Sequence, residues 1–365
     1  MIYLDYQATT PLAPEAREAM LPWLGGPDTP GFANPHSAHR PGRAAAAAIE
    51  IAREQVAGLL PPGGRVIFTS GATEAINLAM KGAAQRGEDD VVAVSAIEHA
   101  AVLDCAEAMR GETEVRVLSV DGEGLVAGDL VMPERLRLAA VMQVNNEIGT
   151  IQPVAALAGA AHRAGGLFLC DAVQGAGKLA APGEADMIAI SGHKLHGPKG
   201  IGALWLRDGI ALDPLMHGGG QEQGLRSGTL SPALCAGFGA AASLAAERLE
   251  ADTAHVRTLW QSARAILSRW TLNGSGEQRW HGNLNVRLDG LDVARLMSDL
   301  RDIAFSAGSA CASGSGRPSH VLKAIGLADR SAKASIRLGF GRYTALSDLE
   351  DACARIEAAA AAQGV

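Results

Sequence analysis

Apolar residues in the first two-thirds of the chain come in short unbroken runs, and most runs end at glycine or a polar residue. Segments 65–70, 91–95, 138–144, 166–170 and 187–190 have this form. Runs this short, with little alternation, predict strands buried on both faces. Between and before them lie stretches with helical spacing at 14–24, 43–60 and 74–84, and one starting at His99 that carries Cys105. Strand, loop and helix therefore repeat. That order predicts an α/β fold with a mainly parallel, doubly wound sheet and one ligand site along its carboxyl edge.

The residues that leave these strands are polar. Thr73 follows Ser70-Gly71-Ala72, His99 follows Glu98, and Asn146 follows Asn145. Asp171 ends the fourth run, with Gln174 one turn later, and Lys194 follows Ser191-Gly192-His193. Taken singly, each has an ordinary explanation: a βα turn capped by Thr73, a structural cap at His99, a solvated turn lysine at Lys194. Placed together at one sheet edge, the six read as one site. The turn at 71–73 ahead of a helix is also an anion cradle, because free N–H groups and the helix dipole both favour phosphate there.

The remainder of the chain changes character. A glycine-rich loop at 218–229 is long enough to reach another subunit. A long helix is predicted over 234–267, with a break near Asp252, and the domain change is placed there. Residues 268–365 alternate helices with strands at 282–288 and 335–339, which reads as a smaller α+β domain. The expected division is 13–251 for the large domain, with 1–12 and 252–365 forming the small one.

Composition narrows the classes. The chain has 365 residues, 48% hydrophobic and 19% charged, which fits a soluble protein with a large core. A net charge of −7 argues against nucleic acid as a partner. No apolar run is long enough to span a membrane, and the first residues carry no secretory pattern. The five cysteines, Cys105, Cys170, Cys235, Cys311 and Cys353, are odd in number and scattered, which points to a reducing compartment, the cytoplasm. No histidines and cysteines cluster at metal-ligand spacing.

Two groups carry reactive chemistry. Lys194 sits after a buried run in a glycine- and proline-rich loop, which suits an amine that condenses with an aldehyde cofactor. Such an amine must be neutral to attack, so it is desolvated or placed near another cation. Cys311 lies in a run of small residues with too little apolar bulk to anchor a core. That setting exposes a thiol, as a nucleophile requires. The other four cysteines fall in a buried strand or on helices, where cysteine acts as a small hydrophobe.

Several motifs together carry a family resemblance. They are Leu4-Asp5 with Ala8-Thr9-Thr10-Pro11, Thr69-Ser70-Gly71-Ala72-Thr73-Glu74, Glu98-His99, and Asn145-Asn146-Glu147-Ile148-Gly149-Thr150. Asp171-Ala172-Val173-Gln174, Ser191-Gly192-His193-Lys194, Arg226-Ser227-Gly228-Thr229 and Gly308-Ser309-Ala310-Cys311 complete the set. Over almost its whole length the chain resembles the cysteine desulfurases of the NifS/IscS-like group, within the aminotransferase class V family.

The resemblance implies a fold-type I homodimer with a seven-stranded sheet and pyridoxal 5′-phosphate on Lys194. Ala72, Thr73, Ser191 and His193 would hold the phosphate, and Thr229 would reach the phosphate of the partner subunit. Asp171 would pair with the ring nitrogen, Gln174 with the phenolic oxygen, and His99 would stack on the ring. Asn34, Asn146 and Arg337 would bind the carboxylate of L-cysteine. Lys194 would take the Cα proton, His99 would move the thiol proton, and Cys311 would capture the sulfur as a persulfide for a sulfur-acceptor protein. Selenocysteine lyase and class V aminotransferase are the alternative activities. Gly316-Arg317 departs from a more usual apolar–acidic pair, and Ala307 from serine. The chain stops soon after Ala358, without the tail that housekeeping members use to meet an iron–sulfur scaffold, so the acceptor stays open.

Overall fold

The computed structural model describes residues 1–84, 90–308 and 319–365. In chain order, β1 (Ile2–Tyr3), α1 (Pro14–Met20) and α2 (Arg40–Ala57) lead into β2 (Gly64–Thr69), α3 (Ala72–Ala84) and β3 (Val91–Ser95). Next come α4 (Ala100–Met109), β4 (Glu114–Leu118), β5 (Leu136–Met142), α5 (Val154–Arg163), β6 (Leu167–Asp171), β7 (Met187–Ser191) and β8 (Gly202–Arg207). The long α6 (Pro232–Ile266) is followed by β9 (Thr271–Leu272), β10 (Asn283–Arg287), α7 (Val293–Asp299), β11 (Ile303–Ala304) and β12 (Ser306–Ala307). Then α8 (His320–Ala324), α9 (Asp329–Lys333), β13 (Ser335–Gly339) and α10 (Leu346–Ala361) close the chain.

Seven strands form the main sheet in the order β2-β8-β7-β6-β5-β3-β4. Only β8 opposes its neighbours; the others are mutually parallel. The inner strands β3, β5, β6, β7 and β8 are largely apolar because both faces are covered. Along β5, Leu136, Ala139 and Val141 face a core shared with α2, α5 and α6, while Leu138 and Ala140 face one shared with α3 and α4. Phe68, Phe168 and Trp205 are almost wholly buried, and each such side chain contributes roughly 1.5–3 kcal/mol. The expected mainly parallel sheet is present.

Two strands escape the sequence pattern for identifiable reasons. β4 is the sheet edge and shows solvent Glu114, Arg116 and Val117, so it lacks a buried run. β8 starts in glycine, and Gly202 has to be one. A Cβ there would lie 2.6 Å from the Ile190 carbonyl and 2.7 Å from the Gly71 backbone. α2 starts at Arg40 rather than at 43, because His39 caps it by accepting from Gly42 N at 3.1 Å and Pro41 suits its first turn.

A second, four-stranded sheet, β12-β13-β10-β9, is antiparallel and packs on α7, α10 and the far end of α6. β1 pairs in parallel with β11, and Asp5 bridges to Gly339. The N-terminal arm is thus tied to this second sheet. The break expected near Asp252 is absent: α6 runs unbroken for 35 residues. From residue 240 onward it holds no glycine or proline, and Asp252 pairs with Arg342 instead of ending the helix. Helix α6 changes core along its length, with Phe238 and Ala242 in one and Val256 and Leu259 in the other.

Candidate active site

The carboxyl ends of β2, β3, β5, β6 and β7 open onto one cavity of about 620 Å³. That size suits a cofactor with a small substrate. Parallel strands bring their exits to the same edge, so residues far apart in sequence meet there. Ala72, Thr73, His99, Asn146, Asp171, Gln174, Ser191, His193, Lys194 and Arg337 all line it.

α3 begins at Ala72, directly after the turn that leaves β2, so its first N–H groups face the cavity edge. Glu74 steadies the turn by accepting from Ser70 N at 2.7 Å, and its other oxygen pairs with Arg226 at 2.7 Å.

His99 is the N-cap of α4, and its Nδ1 accepts from Ala101 N at 3.1 Å. An imidazole that accepts at Nδ1 carries its proton on Nε2 when neutral. Behind it, Glu98 is fully buried. It accepts from Ser95 Oγ and from Met142 N, and its Oε2 has no partner among the described residues. Burial pushes this carboxyl up to about 8, so near neutral pH it is an uncharged acid.

Asp171 ends β6, is 5% exposed, and accepts from Val173 N at 2.9 Å. Burial raises its carboxyl, while the Val173 N–H, His99 and Lys194 act against that rise. A buried carboxyl at a cavity wall is stabilised in its charged form by a cation laid against it, and a protonated ring nitrogen is such a cation. Together with the α3 N-terminus, an amine and an amide, this donor set fits pyridoxal phosphate.

Lys194 ends the short turn after β7. Its Nζ donates to the Ala8 carbonyl at 2.9 Å and to the Gln7 carbonyl. Three cations gather here. Burial, then Lys194, Lys199 and Lys178, hold His193 down at about 4, so the ring is neutral and bonds Thr9 Oγ1 at 3.1 Å. Burial and Lys194 bring Lys178 down to about 7. Lys178 is thus a neighbour of Lys194 that the sequence pattern did not single out. It reaches Gln174 Oε1 at 3.5 Å, while Gln174 Nε2 donates to the Gln7 carbonyl at 3.1 Å.

The N-terminal arm supplies a wall that the sequence pattern did not reveal. Gln7, Ala8 and Thr9 line the cavity. Thr10 Oγ1 donates to the His193 carbonyl at 2.9 Å and accepts from His196 N at 2.8 Å. That pair holds His196 in a left-handed conformation, φ 67°, which a side chain adopts only at some cost. The arm approaches closely because Gly339 has no side chain; a Cβ there would lie 2.7 Å from Tyr6 N. The available signal was the motif Leu4-Asp5 with Ala8-Thr9-Thr10-Pro11.

Asn34, expected at the carboxylate, does not line this cavity, and Thr229, expected at the partner subunit's site, does not line its own. Asn34 turns back on its own loop and accepts from His36 N at 2.9 Å. Thr229 lies exposed at the end of the glycine-rich loop. Cys311 lies outside the described residues, yet what flanks its segment sits beside the cavity. Ser306 pairs with Arg337 across β12 and β13, while Ser319 donates to Glu147 and His320 bonds the Glu98 carbonyl at 2.9 Å. The other four cysteines are buried, and none is in a disulfide.

Comparison with known proteins agrees with this geometry. The aminotransferase class-V family model matches residues 2–351. The chain is 43% identical to cysteine desulfurase IscS of Shewanella denitrificans, over 96% of this chain and 90% of that protein. Among solved structures it is similar to a NifS-like protein, with a TM-score of 0.89 and 31% identity over 98% of each chain. It is also similar to SspA in complex with cysteine, with a TM-score of 0.83 and 35% identity over 94% of this chain and 100% of that one.

Proposed function

The chain belongs to the aminotransferase class-V family, and from that premise we infer that it is a pyridoxal phosphate-dependent cysteine desulfurase of fold type I. It takes sulfur from L-cysteine and leaves L-alanine. The observation that carries this is the single cavity shared by the α3 N-terminus, His99, Asp171, Gln174, Lys194 and Arg337.

When bound, the cofactor supplies an aldehyde for an amine and a ring that takes up electron density. The protein's part is binding, orientation and proton handling. Ala72, Thr73, Ser191 and His193 would hold the phosphate. Asp171 would keep the ring nitrogen protonated, Gln174 would bond the phenolic oxygen, and His99, with its Nδ1 committed to Ala101 N, would stack on the ring. Arg337 and Asn146, which line the cavity, would receive the substrate carboxylate. Arg337 suits this: it is 1% exposed, and its Nε has no partner among the described residues. Lys194 Nζ takes the Cα proton. The Cys311 thiolate bonds to the substrate sulfur as the carbon–sulfur bond breaks. The electron pair stays on carbon, which is protonated to alanine, and the persulfide stays on Cys311.

Residues 13–251 form the cofactor-binding domain in this reading, and 1–12 with 252–365 carry Cys311. The enzyme works as a homodimer in the cytoplasm, with the exposed Thr229 reaching the partner subunit's phosphate. The persulfide passes to iron–sulfur cluster assembly or to another sulfur acceptor. The buried thiols and the lack of any helix, among the described residues, long and apolar enough to cross a membrane are consistent with that setting.

The test is to supply purified enzyme with pyridoxal phosphate and L-cysteine and to follow alanine and protein persulfide. The parent forms both in step, and Cys311→Ala forms neither above background. Keto acid in place of alanine would instead mark an aminotransferase. Undiminished alanine from Cys311→Ala would mark a lyase.

A further inference from the structure

Arg337 is the most buried charged side chain at the cavity, and its surroundings are asymmetric. Nη1 donates to the Asn146 carbonyl at 3.2 Å. Nη2 donates to Asp5 Oδ1 at 2.7 Å and to Ser306 Oγ at 3.3 Å. Ser306 Oγ in turn donates to the same Asp5 oxygen at 2.9 Å. Nε is buried and unpartnered among the described residues. One edge of the guanidinium is therefore committed to the protein, and Nε remains for a ligand.

Asp5 is itself held from several directions. Its backbone bridges to Gly339, and its carbonyl accepts from Ala8 N at 2.9 Å and from the Tyr3 hydroxyl at 3.1 Å. A buried guanidinium without a counter-charge is strongly disfavoured, and a free arginine samples many rotamers. A fixed carboxylate 2.7 Å from Nη2 removes both problems before any substrate arrives. The Asp5 side chain keeps 20% exposure, so solvent screens it when a second carboxylate binds nearby.

We propose that Asp5 is a positioning residue: with Ser306 as a bridge, it locks the Arg337 guanidinium in the orientation that receives the carboxylate of the amino-acid substrate. The proposal rests on Arg337 as the carboxylate ligand. Asp5 touches no substrate and acts through Arg337 alone.

The test uses full-length, cofactor-loaded enzyme and a binding readout. L-Alanine and L-alanine methyl ester are titrated separately, and their dissociation constants are read from the cofactor absorbance. The parent binds the carboxylate form more tightly than the ester. Asp5→Ala weakens L-alanine about 10- to 100-fold and leaves the ester unchanged, because a lost charge-assisted contact is felt only by the ligand that uses Arg337. Asp5→Asn, which keeps shape and an acceptor oxygen, falls between and guards against a folding defect. KM for L-cysteine rises in parallel, with kcat changed far less. Arg337→Lys tests the underlying assignment. If it loses the preference for the carboxylate while Asp5→Ala and Asp5→Asn keep it, the proposal is overturned and Arg337 stands. If Arg337→Lys keeps the preference, the assignment of Arg337 fails and the proposal with it. Equal weakening of both ligands by the Asp5 variants also overturns it, since that marks a general structural role.

Discussion

The cavity has two walls of different origin. One is the carboxyl edge of the parallel sheet, which presents the α3 N-terminus, His99, Asp171 and Lys194. The other is assembled from the N-terminal arm and the second sheet: Gln7, Ala8, Thr9 and Arg337. On the first wall, side chains act directly, and local strand–loop–helix geometry places them. On the second, Gln7 and Ala8 contribute backbone carbonyls to Lys194, and tertiary pairing with β11 and Gly339 places the arm. The amine that condenses with the cofactor and takes the Cα proton, Lys194, is assigned to the sheet edge. The arm orients that amine and, through Asp5, the substrate's carboxylate.

This division predicts that damage to the sheet-edge wall has the larger effect on turnover. Asp171→Asn keeps size and burial but removes the charge. An amide cannot hold the ring nitrogen protonated, so alanine formation falls on the order of 10²–10³-fold. The cavity and the Val173 contact remain, so thermal stability stays near the parent's. Rate and melting temperature measured on the same preparation check this. A large loss of melting temperature would make Asp171 structural and dissolve the contrast between the walls.

Thr10→Val breaks the other wall in the complementary way. It is close to isosteric, and it leaves His196 N without its acceptor next to a backbone already in the left-handed region. An orphaned buried N–H costs about 1–3 kcal/mol, which appears as a melting temperature lower by a few degrees. Turnover at a temperature where the protein is folded falls much less than in Asp171→Asn. Equal losses of rate in the two variants would mean that the arm takes part in the chemistry.

The two walls also differed in how far the sequence disclosed them. Strand exits are local: an apolar run followed by Asp171, His99 or Lys194 marks a position at the sheet edge without knowledge of the rest. The six residues expected from that pattern do meet. Arg337 carries no such signal, because it is a cation inside a buried strand, and the family resemblance alone pointed to it. Gln7 and Ala8 act through carbonyls that every residue possesses, so side-chain type said nothing. Lys178 drew no notice because one lysine four residues after Gln174 looks like a solvated turn, and only folding puts it beside Lys194. Asn34 shows the converse: the resemblance pointed to it, yet its side chain turns back to His36 N and does not line the cavity. The continuous α6 shows that a change of core need not interrupt a helix.

Glu98 sharpens the comparison by a smaller, pH-dependent effect. Its carboxyl lies behind the sheet-edge wall, and its ionised form would raise Asp171 further. Burial holds Glu98 at about 8 in the folded protein against 4.5 for the free group. Between those values the unfolded chain has released this proton and the folded chain still holds it. Stability from this group is therefore complete below about 4.5, declines as pH rises toward 8, and is level above. Glu98→Gln removes the titration while keeping shape and the acceptor for Ser95 and Met142 N. The variant's advantage over the parent then grows across that window by on the order of a few kcal/mol. Melting temperature followed from pH 5 to 9 reads the sign, with the two curves diverging as pH rises. Alanine formation gives the second reading. Above pH 8 the parent places a second negative charge beside Asp171 and loses rate, while Glu98→Gln does not. Parallel melting curves would show that Glu98 is already ionised at neutral pH. The sheet-edge wall would then carry two charged carboxylates instead of one.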